Sequence, residues 1–303
     1  MSGAGERLFV FGFGNSAKAL NRLAADRFAS IAGTTRSPEG AEALEELGVD
    51  AFVFDGTKPG RGIADALKSA TYVLSSVPPG EDGDPVLAHH AADIAAAPGL
   101  RWVGYLSTIG VYGDHRGAVI DEETPCRPAS PRSRRRLEAE AAWTDLAEEI
   151  GVPAAIFRLA GIYGPGHNVM VRLMKGTARR LVKPGQVFNR IHVDDIASIV
   201  AAAIAEDCGG IFNVTDDEAA PPQDVVAFGA QLMGVEPPPE EDFATAELSP
   251  MARSFYGESK IVSNDKAKSV LGWKPRYPDY RSGLKRLWTT GDWDAETTSE
   301  RKR

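Results

Sequence analysis

Val10-Phe11-Gly12-Phe13-Gly14-Asn15-Ser16-Ala17 sets a GxGxxA spacing directly behind the apolar run Leu8 to Phe11 and at the opening of a helical candidate, Ser16 to Asp26. Gly12 permits the tight turn out of the strand. Gly14 lets the backbone approach a pyrophosphate, and Ala17 is small enough for close helix-to-strand packing. The start of the helix, with Phe13, Asn15 and Ser16 around it, offers N–H donors and a positive dipole end. The stretch predicts the first βα unit of a dinucleotide-binding fold.

Working outward, short β-branched or aromatic runs alternate with longer Ala/Leu/Glu segments, the pattern of βα units feeding a parallel sheet. The predicted strands are Leu8 to Phe11, Ser30 to Thr34, Ala51 to Phe54, Tyr72 to Ser76, Trp102 to Leu106, Ala154 to Leu159 and Ile211 to Val214. Helices are expected over Ser16 to Asp26, Glu39 to Leu47, Ile63 to Lys68, Pro85 to Ala97, Pro131 to Ile150 and Asp194 to Glu206. After Leu159 the rhythm breaks into Gly/Pro-rich loops, a basic helix candidate near Met170 to Arg180, and the cluster Pro237 to Pro239. The reading is an α/β Rossmann fold, a doubly wound parallel sheet with a small C-terminal substrate-capping subdomain. Residues 1–164 and 189–220 form the core, 165–188 and 221–290 the cap, and 291–303, ending in Arg301, Lys302 and Arg303, a flexible tail.

Composition narrows the function classes. A chain of 303 residues that is 43% hydrophobic and 25% charged buries a large core. No apolar run approaches the roughly 18 residues of a membrane span, and Met1 to Arg7 lacks the features of a secretory signal, so a cytoplasmic protein is expected. Two cysteines, Cys126 and Cys208, are too few for a disulfide framework and form no metal-spaced pair, which predicts free thiols and no metal. A net charge of −8 argues against a phosphate-tracking surface and so against nucleic acid. His192, Asp194 and Asp195 are read as a strand end followed by Asp as helix N-cap, not as a metal site or triad.

At the end of the second strand, where an acidic residue would bind a free ribose 2′-hydroxyl, stands Gly33-Thr34-Thr35-Arg36-Ser37. Hydroxyls and the Arg36 guanidinium suit a 2′-phosphate, which favours NADP, with NAD the alternative.

Three later segments, Ser107-Thr108-Ile109-Gly110-Val111-Tyr112-Gly113-Asp114, Arg158-Leu159-Ala160-Gly161-Ile162-Tyr163-Gly164-Pro165-Gly166 and Ile191-His192-Val193-Asp194-Asp195-Ile196-Ala197, resemble extended short-chain dehydrogenase/reductases of the NAD-dependent epimerase/dehydratase type. The ending Leu271-Gly272-Trp273-Lys274-Pro275 is similar to that family's C-terminal pattern. The resemblance implies that Asp55 contacts the adenine, that Ser75 to Pro78, with Val77 and Pro78, line the cofactor cleft, and that a homodimer forms on helices such as Pro85 to Ala97. It also implies that Ser107 or Thr108 hydrogen-bonds a substrate oxygen.

The family's Tyr-x-x-x-Lys pair is missing. Aligning Ala139-Glu140 with the family's helix places Arg132 at the tyrosine and Arg136 at the lysine. A guanidinium stays protonated, so Arg132 can anchor an anionic oxygen but is a poor proton shuttle. Another donor is then needed; Tyr112, Tyr163 and His167 are expected to rim the cleft, with Tyr112 the foremost. Arg132, Arg134, Arg135 and Arg136 crowd the first turns of a helix whose dipole disfavours cations. Arg134 with Glu138 and Arg136 with Glu140 would offset them in part, as would Asp121, Glu122, Glu123 or an anionic ligand. Two functions stay open: an oxidoreductase or epimerase-like enzyme acting on a small polar, anionic substrate, or a catalytically inactive NADP-binding regulatory or sensor protein.

Overall fold

The computed structural model describes residues 5–294. The predicted strands form β1 (Arg7–Phe11), β2 (Ser30–Thr35), β3 (Asp50–Val53), β4 (Tyr72–Ser75), β5 (Trp102–Thr108), β6 (Ala154–Leu159) and β7 (Gly210–Val214). They make one seven-stranded sheet in which β7-β6-β5-β4-β1-β2-β3 are neighbours and every pairing is parallel. The order reverses between β1 and β4, the switch point beside which α/β sheets bind ligands at their carboxyl ends.

The helices are α1 (Asn15–Ala24), α2 (Pro38–Glu45), α3 (Ile63–Leu67), α4 (Pro85–Ala95), α5 (Pro131–Ile150), α6 (Val169–Met174), α7 (Val193–Ala205), α8 (Pro222–Met233), α9 (Pro250–Phe255), α10 (Asp265–Leu271) and α11 (Tyr280–Thr290). One face of the sheet is sealed by α1 and α7, where Leu20 and Ile199 join Phe157 and Phe212. The other is sealed by α3, α4 and α5, where Ile63, Ile94 and Trp143 meet Phe9, Phe11 and Tyr105. With both faces covered, the strands are apolar almost throughout. No described helix is long and apolar enough to cross a membrane.

Local chemistry sets the ends of α5 where the sequence puts them. Ser130 accepts from Ser133 N at 3.1 Å, Pro131 opens the helix, and Gly151 closes it at φ +73°. α7 differs from expectation. Its N-cap is His192, whose Nδ1 accepts from Asp194 N at 3.1 Å, while the buried Asp195 carboxylate accepts from Arg276 N (2.6 Å) and Tyr277 N (3.1 Å). That carboxylate ties the C-terminal segment to the core.

α6, α8 and α11 pack around Met170, Val226, Tyr280 and Leu284 beyond the carboxyl edge of the sheet. The basic helix expected to reach Arg180 stops at Met174: Gly176 takes φ +64°, and Arg180–Val182 becomes a strand parallel to Glu240–Asp242. The tail does not begin at 291. The Trp293 carbonyl accepts from Gly166 N (3.2 Å) and Asn168 Nδ2 (2.7 Å), and its ring lies 5.7 Å from Trp288. Arg301, Lys302 and Arg303 lie outside the described residues. Cys126 and Cys208 are free thiols.

Candidate active site

The glycine loop is held from two sides. Gly12 sits at φ +78°, donates its N–H to Thr34 Oγ1 (2.8 Å) and accepts from Ser76 Oγ (2.5 Å). A Cβ on Gly12 would lie 2.9 Å from Ser76 Oγ and 3.0 Å from Val77 Cγ2, so no other residue fits unstrained. Gly14 is different: a Cβ there would meet no atom within 4 Å. Gly14 is also the N-cap of α1, supplies no side-chain cap, and is followed by no acidic residue in the first turn. The first N–H groups of α1 therefore have no side-chain cap, as an anion cradle requires.

Phe13 contributes through its backbone alone, since its ring is buried against Gly33, where a Cβ would come within 2.3 Å of it. The hydroxyls expected beside Arg36 are mostly engaged: Thr34 holds Gly12, and Ser37 caps α2 by accepting from Gly40 N at 3.2 Å. Arg36 is exposed and has no ion pair among the described residues. Asp55 follows β3, and its Oδ1 accepts from Thr57 N (2.9 Å) and Thr57 Oγ1 (2.7 Å), which lowers its pKa.

β5 runs two residues further than the sequence suggests, so Ser107 and Thr108 are paired with Arg158 and Leu159 of β6. Strand alternation then sends the two hydroxyls to opposite faces. Ser107 turns to α5 and donates to the buried Glu140, which also receives Arg158 Nε (3.1 Å) and Nη2 (2.8 Å). Ser107 is thus corrected from a substrate contact to part of a buried polar network. Thr108 faces the cleft; its Oγ1 accepts from Gly110 N at 3.1 Å, which leaves its proton free to donate.

Tyr112 is a second correction. It is fully buried, donates to Asn213 Oδ1 at 2.8 Å, lies under the Arg158 guanidinium (4.8 Å to the ring), and has its pKa pushed up to about 12 by burial. It does not rim the cleft. Arg136 is a third, because it is buried over the Tyr105 ring and its Nη1 donates to Tyr105 Oη (3.1 Å) and Leu106 O (2.9 Å). The anticipated Arg136–Glu140 pair does not form, since Arg158 takes that carboxylate. Arg132 is exposed, and neither it nor Arg134 has an ion pair among the described residues; Arg135 reaches Glu81 at 4.0 Å. Asp121 is used by Thr124 and Glu123 N, and Glu122 by Asn213 N, so that loop does not neutralise the cluster.

One hydroxyl the sequence reading passed over is Ser133. On α5 it continues the face that carries Arg136 and Glu140, at spacings of three and four residues. Its Oγ lies 3.2 Å, and Thr108 Oγ1 3.4 Å, from the point a Gly110 Cβ would occupy, and it is hydrogen-bonded to Ser130 Oγ at 2.9 Å.

Thr108 and Gly110 open onto a cavity of about 920 Å³ between the carboxyl ends of β5 and β6 and the helices α6, α8 and α11. Five basic side chains, Arg172, Lys175, Arg179, Arg190 and Lys260, line it against one carboxylate, Glu258. Arg179 is paired with Glu241 and Lys260 with Glu258, whereas Arg172, Lys175 and Arg190 have no ion pair among the described residues. Tyr163 and His167 are on the wall, as expected of them. The Tyr163 ring is buried edge-on to His192 (5.1 Å), however, and burial raises its pKa strongly. No group of three or more His, Cys, Asp or Glu side chains among the described residues is placed to hold a metal ion.

A doubly wound parallel sheet with a glycine-rich turn at its switch point defines the Rossmann-like α/β class. The model of the NAD dependent epimerase/dehydratase family matches residues 86–215. A "3-diazoavenalumate denitrifying reductase" from Streptomyces sp is 28% identical over 216 residues, 65% of this chain and 68% of that protein. A "UDP-glucose 4-epimerase" from Corynebacterium glutamicum is 26% identical over 221 residues, 65% of each chain, so the match spans slightly less than two thirds of that relative. The solved structure of a functionally unknown conserved protein from Silicibacter pomeroyi DSS superimposes with a TM-score of 0.85 at 46% identity, covering 94% of this chain and 99% of that one. Residues 86–215 thus carry a match to the NAD dependent epimerase/dehydratase family, to which the chain's similarity to a reductase and an epimerase adds.

Proposed function

We propose that this protein binds NADP and acts as an oxidoreductase or epimerase-like enzyme on a small, polar, anionic substrate. The observation that carries the reading is Thr108: a hydroxyl with a free proton, at the carboxyl end of β5, facing a cavity with surplus positive charge. The residues present fit the cofactor. Gly14 leaves space at the open N-terminus of α1 for a pyrophosphate, Arg36 is free for a 2′-phosphate, Asp55 stands at the end of β3 toward the adenosine side, and Val77 and Pro78 follow the serine that fixes Gly12. When bound, the nicotinamide accepts or returns a hydride.

The protein's own part is to bind, orient and move a proton. Thr108 donates to the substrate oxygen and fixes the reacting carbon. Ser133, against Gly110, is the second hydroxyl at that position, and its link to Ser130 gives a proton a route to solvent at the start of α5. Arg132, exposed and always charged, takes no proton. Incubation with 4-deuterated NADPH and a panel of anionic carbonyl compounds tests the reading by mass spectrometry: label transfer is expected in the wild type and in Ser107→Ala, and is lost in Thr108→Val.

A sensor is the second reading, favoured by one observation: Tyr112, the residue closest in type to the missing acid, is buried and committed to Asn213. Tight NADPH binding with no label moving across the panel would select it.

A further inference from the structure

Two adjacent histidines of α4 grip the loop that follows β3. His90 is buried, and its Nε2 accepts from Gly60 N at 3.2 Å. A backbone N–H can only donate, so Nε2 is the unprotonated nitrogen of that ring and the proton sits on Nδ1, 2.9 Å from Asp93 Oδ2. His89 does the opposite: its Nε2 faces the Gly56 carbonyl at 3.2 Å, where only an N–H can serve. Neighbouring rings thus hold opposite tautomers, one accepting from residue 60 and the other donating to residue 56.

The His90 ring also reaches the strand ends beside which the adenosine half of a dinucleotide would lie. It packs against Phe11, the residue before Gly12, with ring centres 5.6 Å apart, and against Phe54, the residue before Asp55, at 5.2 Å. Phe11 and Phe54 meet edge to face at 5.9 Å, and Phe54 N donates to Thr35 O at 2.8 Å, next to Arg36. One imidazole therefore ties together the ends of β1 and β3 and, through Phe54, of β2. The loop itself is otherwise loosely anchored. Asp55, Thr57, Lys58, Pro59, Arg61 and Gly62 are exposed, and the Asp55–Thr57 bonds are local. Another close contact also comes from α4, since Pro85 Cβ lies 3.2 Å from the point a Gly56 Cβ would occupy. Packing accounts for the two phenylalanine contacts, but not for an acceptor aimed at a loop amide and a carboxylate that fixes its tautomer.

We propose that His90, oriented by Asp93 and assisted by His89, is a positioning residue of the cofactor site: it clasps residues 55–62 against the ends of β1 and β3, so that Asp55 meets the adenosine half on a preformed loop. The proposal rests on the cofactor reading above. A loop ordered before the cofactor arrives spares binding that ordering cost, so the effect falls on affinity for the adenosine half.

The test is titration calorimetry on the full chain with NADPH and, separately, with 2′,5′-ADP, which carries the adenosine half without the nicotinamide. His90→Leu keeps an apolar side chain between Phe11 and Phe54 but has no acceptor, and both ligands should bind about tenfold more weakly. His90→Gln fits the apolar contacts less well yet can accept from Gly60 N, so it should stay within about twofold of the wild type. A histidine that serves packing alone predicts the reverse order, with Leu the better in melting and in binding. His89→Leu, at a half-buried position, removes only the bond to Gly56 O and should weaken both ligands about threefold at an unchanged melting temperature. Wild-type affinity in His90→Leu overturns the clasp, as does a loss in His90→Gln as large as in His90→Leu, or a loss for NADPH that 2′,5′-ADP does not share. Should His90→Leu fail to fold, His89→Leu decides alone, with wild-type affinity overturning the clasp. Failure of the wild type to bind either ligand would overturn the cofactor reading instead.

Discussion

Ser107 donates a hydrogen bond to Glu140, and Glu140 in turn neutralises Arg158 across the β5–β6 register, so one buried carboxylate fixes the strand end that carries Thr108. The network lies directly behind the cleft. Each member is buried and each has a partner, which is the condition under which buried polar groups are tolerated.

Removing the carboxylate should be far costlier than removing the hydroxyl. Glu140→Ala leaves the Arg158 charge buried and unpaired, with an expected loss of about 3–5 kcal/mol, whereas Ser107→Ala loses one hydrogen bond, about 1 kcal/mol. Urea denaturation of the two variants checks the ranking. Similar losses would show that the Arg158–Glu140 pair is not the dominant contribution.

Cofactor preference should reside in Arg36. NADPH is expected to bind the wild type more tightly than NADH, and Arg36→Ala should weaken NADPH by about tenfold while leaving NADH unchanged. Fluorescence titration with both cofactors reads the difference. A full NADPH preference in the variant would assign the discrimination to other groups.

The two glycines of the loop should fail differently. Gly14→Ala adds a Cβ that meets no atom within 4 Å, at φ −85°, so melting should stay near that of the wild type while cofactor binding is weakened. Gly12→Ala forces a Cβ toward Ser76 and Val77 at positive φ and should lower stability by roughly 1 kcal/mol or more. Thermal melting alongside cofactor titration separates the outcomes.

Asp216 should make stability depend on pH. Its pKa is raised to about 8 by burial, ahead of the effects of Glu218 N, Arg190, Glu218 and Asp217, so the folded state holds a proton that the unfolded chain releases near 4. Its contribution is fully present below the unfolded value and is lost as pH rises through the folded one. Asp216→Asn, which keeps an oxygen to accept from Glu218 N, should match the wild type near pH 4. At pH 8 to 9 it should exceed it by on the order of 5 kcal/mol, about four pH units at about 1.4 kcal/mol each. Chemical denaturation across that range would refute the assignment if the two curves stayed parallel.

Periodicity and punctuation in the sequence determined the seven strands, the ends of α5 and the glycine cradle, because each depends on neighbours within a few residues: alternation of apolar side chains, a Ser-Pro start, a left-handed glycine at the close. Tertiary structure alone decided which way the chemistry points. Ser107 and Thr108 are adjacent and chemically alike; only the register of β5 against β6, which sets Arg158 opposite Ser107, sends one to Glu140 and the other to the cavity. The cationic cluster at Arg132 to Arg136 is conspicuous in the sequence, yet the cavity's unpaired charges come from Arg172 and Arg190, on a short helix and a separate strand. The basic run after Met170 marks that region, but which of its side chains are neutralised depends on Glu241 reaching Arg179 from 62 residues away. Long-range pairing of this kind leaves no local pattern, so folding rather than spacing settles where an anion can bind.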